Sequence, residues 1–134
     1  MRRVFADTTF YQALFSRWDE WHDTATKLFG ELAVEIVTTD YVLLELGALM
    51  SRGVARTIFI QFVERARFDE SIKVISASPQ LFEDGIALFA ARPDKEWSLT
   101  DCISFVVMQQ EAITDALTCD QHFAQAGFRA LLVR

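Results

Sequence analysis

Along the chain, short runs of apolar and β-branched residues alternate with longer segments whose apolar positions recur at helical spacing. The runs at Arg2–Ala6, Val34–Thr38, Ile72–Ser76, Ala116–Thr118 and Ala130–Val133 predict strands. They are short and largely apolar, as parallel strands covered on both faces are. The segments between them predict helices. Trp18–Gly30 follows the first strand and stops on a glycine, as many helices do. Tyr41–Ser51 and Val54–Phe68 read as a helical pair broken at Gly53. Pro79–Ala91 opens on a proline, which suits a first turn, and ends before Pro93. Leu99–Glu111 is apolar almost all round, which predicts deep packing, and Gln121–Ala126 makes a last short helix before Gly127.

Strands alternating with helices imply parallel pairing and a layered α/β sandwich. A length of 134 residues predicts one domain, 1–134, able to bury roughly two-thirds of its unfolded surface without disulfides or structural zinc. A composition that is 51% hydrophobic, with 12 Phe and 2 Pro, excludes a disordered chain. No apolar stretch reaches the roughly 18 residues of a membrane span. The start, Met1-Arg2-Arg3-Val4-Phe5-Ala6-Asp7, meets an acid before any signal-peptide core can form and reads as mature protein. Cys102 and Cys119 are too few for a disulfide scaffold and read as small buried residues of a cytoplasmic protein. The net charge of −6 runs against a general nucleic-acid binder, which grips phosphates with basic residues. It runs less against an enzyme whose acids hold divalent cations, because bound ions reverse the local charge.

In open parallel sheets, ligands bind beyond the carboxyl ends of the strands, where the strand order reverses. Four separated acids answer that rule. Asp7 ends the first strand, and Asp120 follows the fourth. Asp101 stands in the first turn of the most apolar helix, and Glu45 shares a helical face with Val42 and Leu49, at or beside the core. Each aspartate also has a plain structural reading: Asp7 and Asp120 as helix caps, and Ser98 with Asp101 as a capping box. Glu45 is harder to explain that way, since a carboxylate flanked by leucines needs a partner and no arginine or lysine lies on its face within a turn. Asp40 is expected to cap the helix carrying Glu45, and Asp115, at the start of the fourth strand, to be structural. Gathering four carboxylates needs a cation: two charges about 4 Å apart repel by roughly 4 kcal/mol at a dielectric of 20. Hard oxygen ligands select Mg²⁺ or Mn²⁺, ions suited to phosphodiester hydrolysis.

At these residues the sequence resembles the PIN-domain family, and within it the VapC-like toxins of toxin–antitoxin pairs. The resemblance runs through Phe5-Ala6-Asp7-Thr8-Thr9-Phe10, Thr38-Thr39-Asp40-Tyr41-Val42-Leu43-Leu44-Glu45, Trp97-Ser98-Leu99-Thr100-Asp101-Cys102-Ile103-Ser104-Phe105 and Ala116-Leu117-Thr118-Cys119-Asp120-Gln121-His122-Phe123. It implies a three-layer α/β/α sandwich with strand order 3-2-1-4-5, and metal-binding, catalytic roles for Asp7, Glu45, Asp101 and Asp120. It further implies that Thr8, Thr100 and Thr118 support those acids. The implied activity is that of a Mg²⁺- or Mn²⁺-dependent endoribonuclease with an RNA substrate, a cognate antitoxin and a homodimeric state. A non-catalytic PIN scaffold and a housekeeping nuclease without an antitoxin stay open. An aspartyl-phosphate phosphatase does not, because it needs an acid two residues after the first aspartate, where Thr9 stands.

Other side chains carry weaker signals. His22 and His122 read as packed or capping histidines. Arg92, Lys95 and Trp97 are either a base-stacking, phosphate-holding loop or a hydrophobic anchor in a charged loop. Arg52 and Arg56 form a second candidate phosphate rim. The segment Val54–Val63 is apolar on more than one face, so Ile58, Phe59 or Phe62 is expected to bury at a dimer contact through this helix or its neighbour.

Overall fold

In the computed structural model, which describes residues 2–31 and 34–132, one parallel sheet carries the chain. Its strands are β1 (Arg3–Ala6), β2 (Glu35–Thr39), β3 (Ile72–Ile75), β4 (Asp115–Leu117) and β5 (Arg129–Ala130), in the order β3-β2-β1-β4-β5. The fifth expected strand reaches to Val133, which lies outside the described residues. Helices α1 (Thr8–Phe15), α2 (His22–Glu31), α3 (Asp40–Leu49), α4 (Gly53–Ala66), α5 (Pro79–Ala91), α6 (Leu99–Gln110) and α7 (Gln121–Gln125) flank it. The strand order reverses at β1, which pairs with β2 on one side and β4 on the other.

β1 is the centre of the core: Val4, Phe5 and Ala6 are fully buried, as an inner strand with helices on both faces requires. Residues Cys102 to Phe105, with Val107 and Met108, bury α6 on nearly every side, as its sequence predicts. Gly53 adopts φ +60° at the start of α4, a left-handed conformation that glycine accepts without strain and that turns α3 into α4.

Two sequence expectations are corrected. Thr8–Phe15 is helical, and the second helix begins only at His22, after a turn that includes Trp18. Ile58, Phe59 and Phe62 of α4 pack against the monomer's own core: Phe62 lies against the rings of Tyr11 and Phe15, with centroids 4.8 and 5.2 Å away. The apolar residues α4 leaves exposed are Val54 and Ile60. Among the described residues, no helix is long and apolar enough to cross a membrane.

Candidate active site

The two ends of the sheet differ in charge. At the amino ends of the strands, Arg2 pairs with Asp115, Arg3 with Glu35 and Glu111, and Lys73 with Glu111. Asp115 is thus an ion-pair partner on the side expected of it. The carboxyl ends gather acids instead. Asp7 follows β1 directly, and Asp120 lies three residues beyond β4, the neighbouring strand in the sheet. Among the described residues no lysine or arginine bonds to Asp7, Asp101 or Asp120.

Each of the three aspartates uses one oxygen within the protein and keeps the other free of side-chain and capping donors. Asp7 Oδ2 accepts from Thr9 Oγ1 (2.9 Å) and Thr118 Oγ1 (3.0 Å). Asp101 Oδ2 accepts the Ser98 N–H at 3.0 Å, closing a capping box at the start of α6, and also faces His122 Nδ1 at 3.0 Å. Asp120 Oδ1 accepts the His122 N–H at 2.9 Å, capping α7, with His122 Nδ1 3.2 Å away. The structural readings of Asp101 and Asp120 as caps are therefore true, and they leave Asp101 Oδ1 and Asp120 Oδ2 available. Asp7 stands at the N-cap position of α1 but its side chain makes no capping bond.

The charges feel one another. Burial pushes the Asp7 carboxyl up to about 6, and the Asp101 carboxylate adds to the rise, against hydrogen bonds from Thr9, Thr118 and the Thr8 backbone. Burial also raises Asp101; the Ser98 N–H and His122 oppose that rise, and the Asp120 charge adds to it. A desolvated, mutually repelling set of carboxylate oxygens fits a small divalent cation. One oxygen or nitrogen from each of Asp101, Asp120 and His122 lies within 4.8 Å of the others.

Glu45, like Asp7, lies outside that group of three. It is half-buried on α3, which packs against α6, and makes no hydrogen bond or ion pair among the described residues. Its helical face runs from buried Val42 to exposed Leu49, so it lies at the margin of the core. Asp40 does not cap α3. Thr39 does, through the Val42 N–H, while Asp40 accepts the Ala77 N–H at 2.8 Å and ties α3 to the loop before α5.

The supporting hydroxyls divide. Thr118 bonds Asp7 and accepts the Asp120 N–H at 3.0 Å, joining two of the acids. Thr8 Oγ1 is buried without a partner, and Thr100 makes no side-chain bond to an acid among the described residues. The role expected of Thr8 falls to Thr9, which donates to Asp7, contacts Thr118 at 3.1 Å and accepts the Cys119 N–H. Its signal in the sequence was a hydroxyl two residues past Asp7 at a helix start, where such side chains turn back on the chain. His122, which the sequence reads as packed or capping, faces the Asp101 and Asp120 carboxylates through Nδ1.

Of the candidate substrate contacts, Trp97 is buried, with its Nε1 donating to Gln125 Oε1 and its ring edge-on to Phe105. It is the hydrophobic anchor, and its ring is not offered to a base. Arg92 lies over that ring and pairs with Asp94, and Lys95 shares a hollow with Trp97 and Cys102, the residue that follows Asp101 in the chain. Arg52 and Arg56 are exposed, Arg56 bonding the Ser51 carbonyl. His22 packs away from the site against the Ala13 carbonyl at 2.8 Å. Cys102 and Cys119 are free thiols, both raised by burial.

The family model of the PIN domain matches residues 4–129, and the chain belongs to that family. It is 28% identical over 125 residues to the 23S rRNA-specific endonuclease VapC20 of Mycobacterium tuberculosis, covering 93% of this chain and 95% of that one. The crystal structure of M. tuberculosis VapC20, a sarcin-ricin loop cleaving toxin, superposes with a TM-score of 0.85 over 98% of both chains. FitAcB from Neisseria gonorrhoeae (TM-score 0.68, 12% identity, 95% of both chains) shares the fold. So does a toxin–antitoxin complex from Klebsiella pneumoniae (TM-score 0.62, 14% identity, 88% and 87% of the chains).

Proposed function

We propose that this single-domain chain is a metal-dependent endoribonuclease, the toxin of a toxin–antitoxin pair acting in the cytoplasm. Asp7, Asp101 and Asp120, each with an oxygen left over, would hold Mg²⁺ or Mn²⁺, with Glu45 supplying a fourth carboxylate from α3. The observation that carries this reading is the desolvated acid cluster at the carboxyl ends of β1 and β4, to which no lysine or arginine is bonded among the described residues. When bound, such an ion lowers the pKa of water and offsets charge on a phosphodiester. The protein's own part is positional. Thr9 and Thr118 fix the Asp7 carboxylate, the Ser98 capping box fixes Asp101, and the α7 cap fixes Asp120. Arg92 and Lys95, which share a hollow with Cys102, and Arg52 and Arg56 beyond α3 are the basic side chains proposed to meet RNA phosphates.

Ribosomal RNA is the first substrate to test, because a relative alike over nearly its whole length is a 23S rRNA endonuclease. An apolar groove lined by Phe15, Trp18, Leu49, Met50, Val54 and Ile58, with Trp18 83% exposed, supports an antitoxin partner that lays a helix there. Purified protein is expected to cleave 23S rRNA with Mn²⁺, to lose cleavage in EDTA and regain it on re-addition. Amide variants at Asp7, Glu45, Asp101 or Asp120 are each expected to lose at least about 100-fold in rate, a loss of about 2.7 kcal/mol, while Asp115→Asn keeps most activity. Cleavage by Asp101→Asn at the wild-type rate removes that residue from the site. Cleavage undiminished in EDTA removes the metal.

A further inference from the structure

We propose that His122 is a positioning residue for the metal site: its Nδ1–H, shared between Asp101 Oδ2 at 3.0 Å and Asp120 Oδ1 at 3.2 Å, clamps the two carboxylates into one unit. The inference rests on the reading of Asp101 and Asp120 as metal-holding acids and goes beyond it, to the device that sets the pair.

The ring nitrogen faces two carboxylate oxygens. A lone pair there would meet two acceptors, so Nδ1 carries the proton, whether the ring is neutral or charged. The clamp therefore needs no change of protonation state. His122 is anchored from both directions. Its own N–H bonds Asp120 Oδ1 (2.9 Å) at the start of α7, and its side chain reaches across to α6. Without that bridge, two like charges from different helices would face one another with only the Ser98 N–H on one and the His122 N–H on the other. With it, each carboxylate has one oxygen fixed and the other left for a cation. Outer hydrogen bonds of this kind change metal affinity by roughly 10- to 100-fold when removed.

The site's geometry leaves one rival, in which Nδ1 itself ligates the ion, because it stands 3.0 and 3.2 Å from oxygens of the two carboxylates. The two arrangements make opposite statements about a proton. A clamp keeps Nδ1–H when metal binds; a ligand loses it. Imidazole NMR of ¹⁵N-histidine-labelled protein titrated with Mg²⁺ reads this directly, since only His22 and His122 contribute signals. The His122→Asn spectrum assigns them. Isothermal titration with MnCl₂ alone gives the second readout, free of RNA and of turnover. His122→Ala is expected to raise the Mn²⁺ Kd at least about 10-fold, and His122→Asn, whose amide N–H stands close to Nδ1–H, to stay within about threefold of wild type.

Loss of the Nδ1–H signal on Mg²⁺ saturation overturns the clamp, and so does an unchanged Kd in folded His122→Ala. If that variant fails to fold, the proton signal of the wild type decides. A wild type that binds no Mn²⁺ overturns the metal-site reading and the clamp with it. A wild type that binds while His122→Ala binds equally overturns the clamp alone.

Discussion

At the scale of single residues, the metal-free site is a place of stored electrostatic cost, and Asp7 bears most of it. Its folded pKa, about 6, lies above the ordinary 3.8, so the folded chain holds a proton there more tightly than the unfolded chain does. The sign follows: the penalty is fully present above pH 6, falls as pH drops through 6, and is gone below 3.8. In EDTA at pH 7.5, Asp7→Asn is expected to be more stable than wild type by about 2–3 kcal/mol, the equivalent of roughly two pKa units. The amide oxygen still accepts from Thr9 and Thr118. Urea unfolding of both proteins between pH 8 and 5 checks the slope as well as the size, and a gap that does not narrow with falling pH refutes the account. Asp7 and Asp120 were legible in the sequence because strand-end position is a one-dimensional property, and Asp101 because it opens the most apolar helix. Thr9 was not, since choosing between two adjacent threonines needs the first turn of α1, an element the sequence pattern did not reveal. His122 was read only as packed or capping because its partner on α6 stands 21 residues away in the chain.

At the scale of elements, the strands, their order and six of the seven helices among the described residues follow from periodicity and the family resemblance. The exception, α1, shows what that reading lacks. Thr8-Thr9-Phe10-Tyr11-Gln12-Ala13-Leu14-Phe15 is rich in β-branched and aromatic residues, which form helices weakly by themselves. Burial of Phe10, Tyr11 and Ala13, a tertiary term, holds it in place. The packing of α5 on α6 hides a similar constraint. Gly85 is buried, and a Cβ placed there would stand 2.3 Å from Ile103 Cγ1 and 3.5 Å from the Ile103 Cα. The glycine is needed for space: helix propensity alone would favour alanine there by about 1 kcal/mol. Gly85→Ala is therefore expected to destabilise by about 1–3 kcal/mol through overpacking. Because Ile103 lies two residues from Asp101, Mn²⁺ affinity should also fall. Thermal unfolding measures the first effect and calorimetry the second. A stabilised Gly85→Ala protein would show that α5 and α6 separate more readily than their contact implies.

At the scale of the whole molecule, the question is which surface is not finished within one chain. The sequence pattern pointed to α4 or its neighbour, and α4 turns its phenylalanines inward onto Tyr11, Phe15 and Gly47. The next helix in the chain, α5, does the reverse. Leu81, Gly85 and Leu88 face the core, while Phe82, Ile86 and Phe89, at the same spacing one residue on, are 42%, 38% and 49% exposed. Three large apolar residues along one outer face make a stripe suited to a matching helix. A second copy of the chain is the occupant we expect, with α5 lying across its own counterpart on a twofold axis. In such an isologous contact every substitution is made twice. Ile86→Glu then sets two carboxylates into the same apolar seam, where they repel. The dimer Kd should rise at least about 100-fold, or about 2.8 kcal/mol, while an exposed substitution costs the monomer fold no more than about 0.5 kcal/mol. Sedimentation equilibrium of wild type and Ile86→Glu, with unfolding of each, separates the two effects. A wild type that sediments as a monomer at tens of micromolar removes the second copy. A dimer that survives Ile86→Glu moves the contact off α5, toward Val54 and Ile60 on α4.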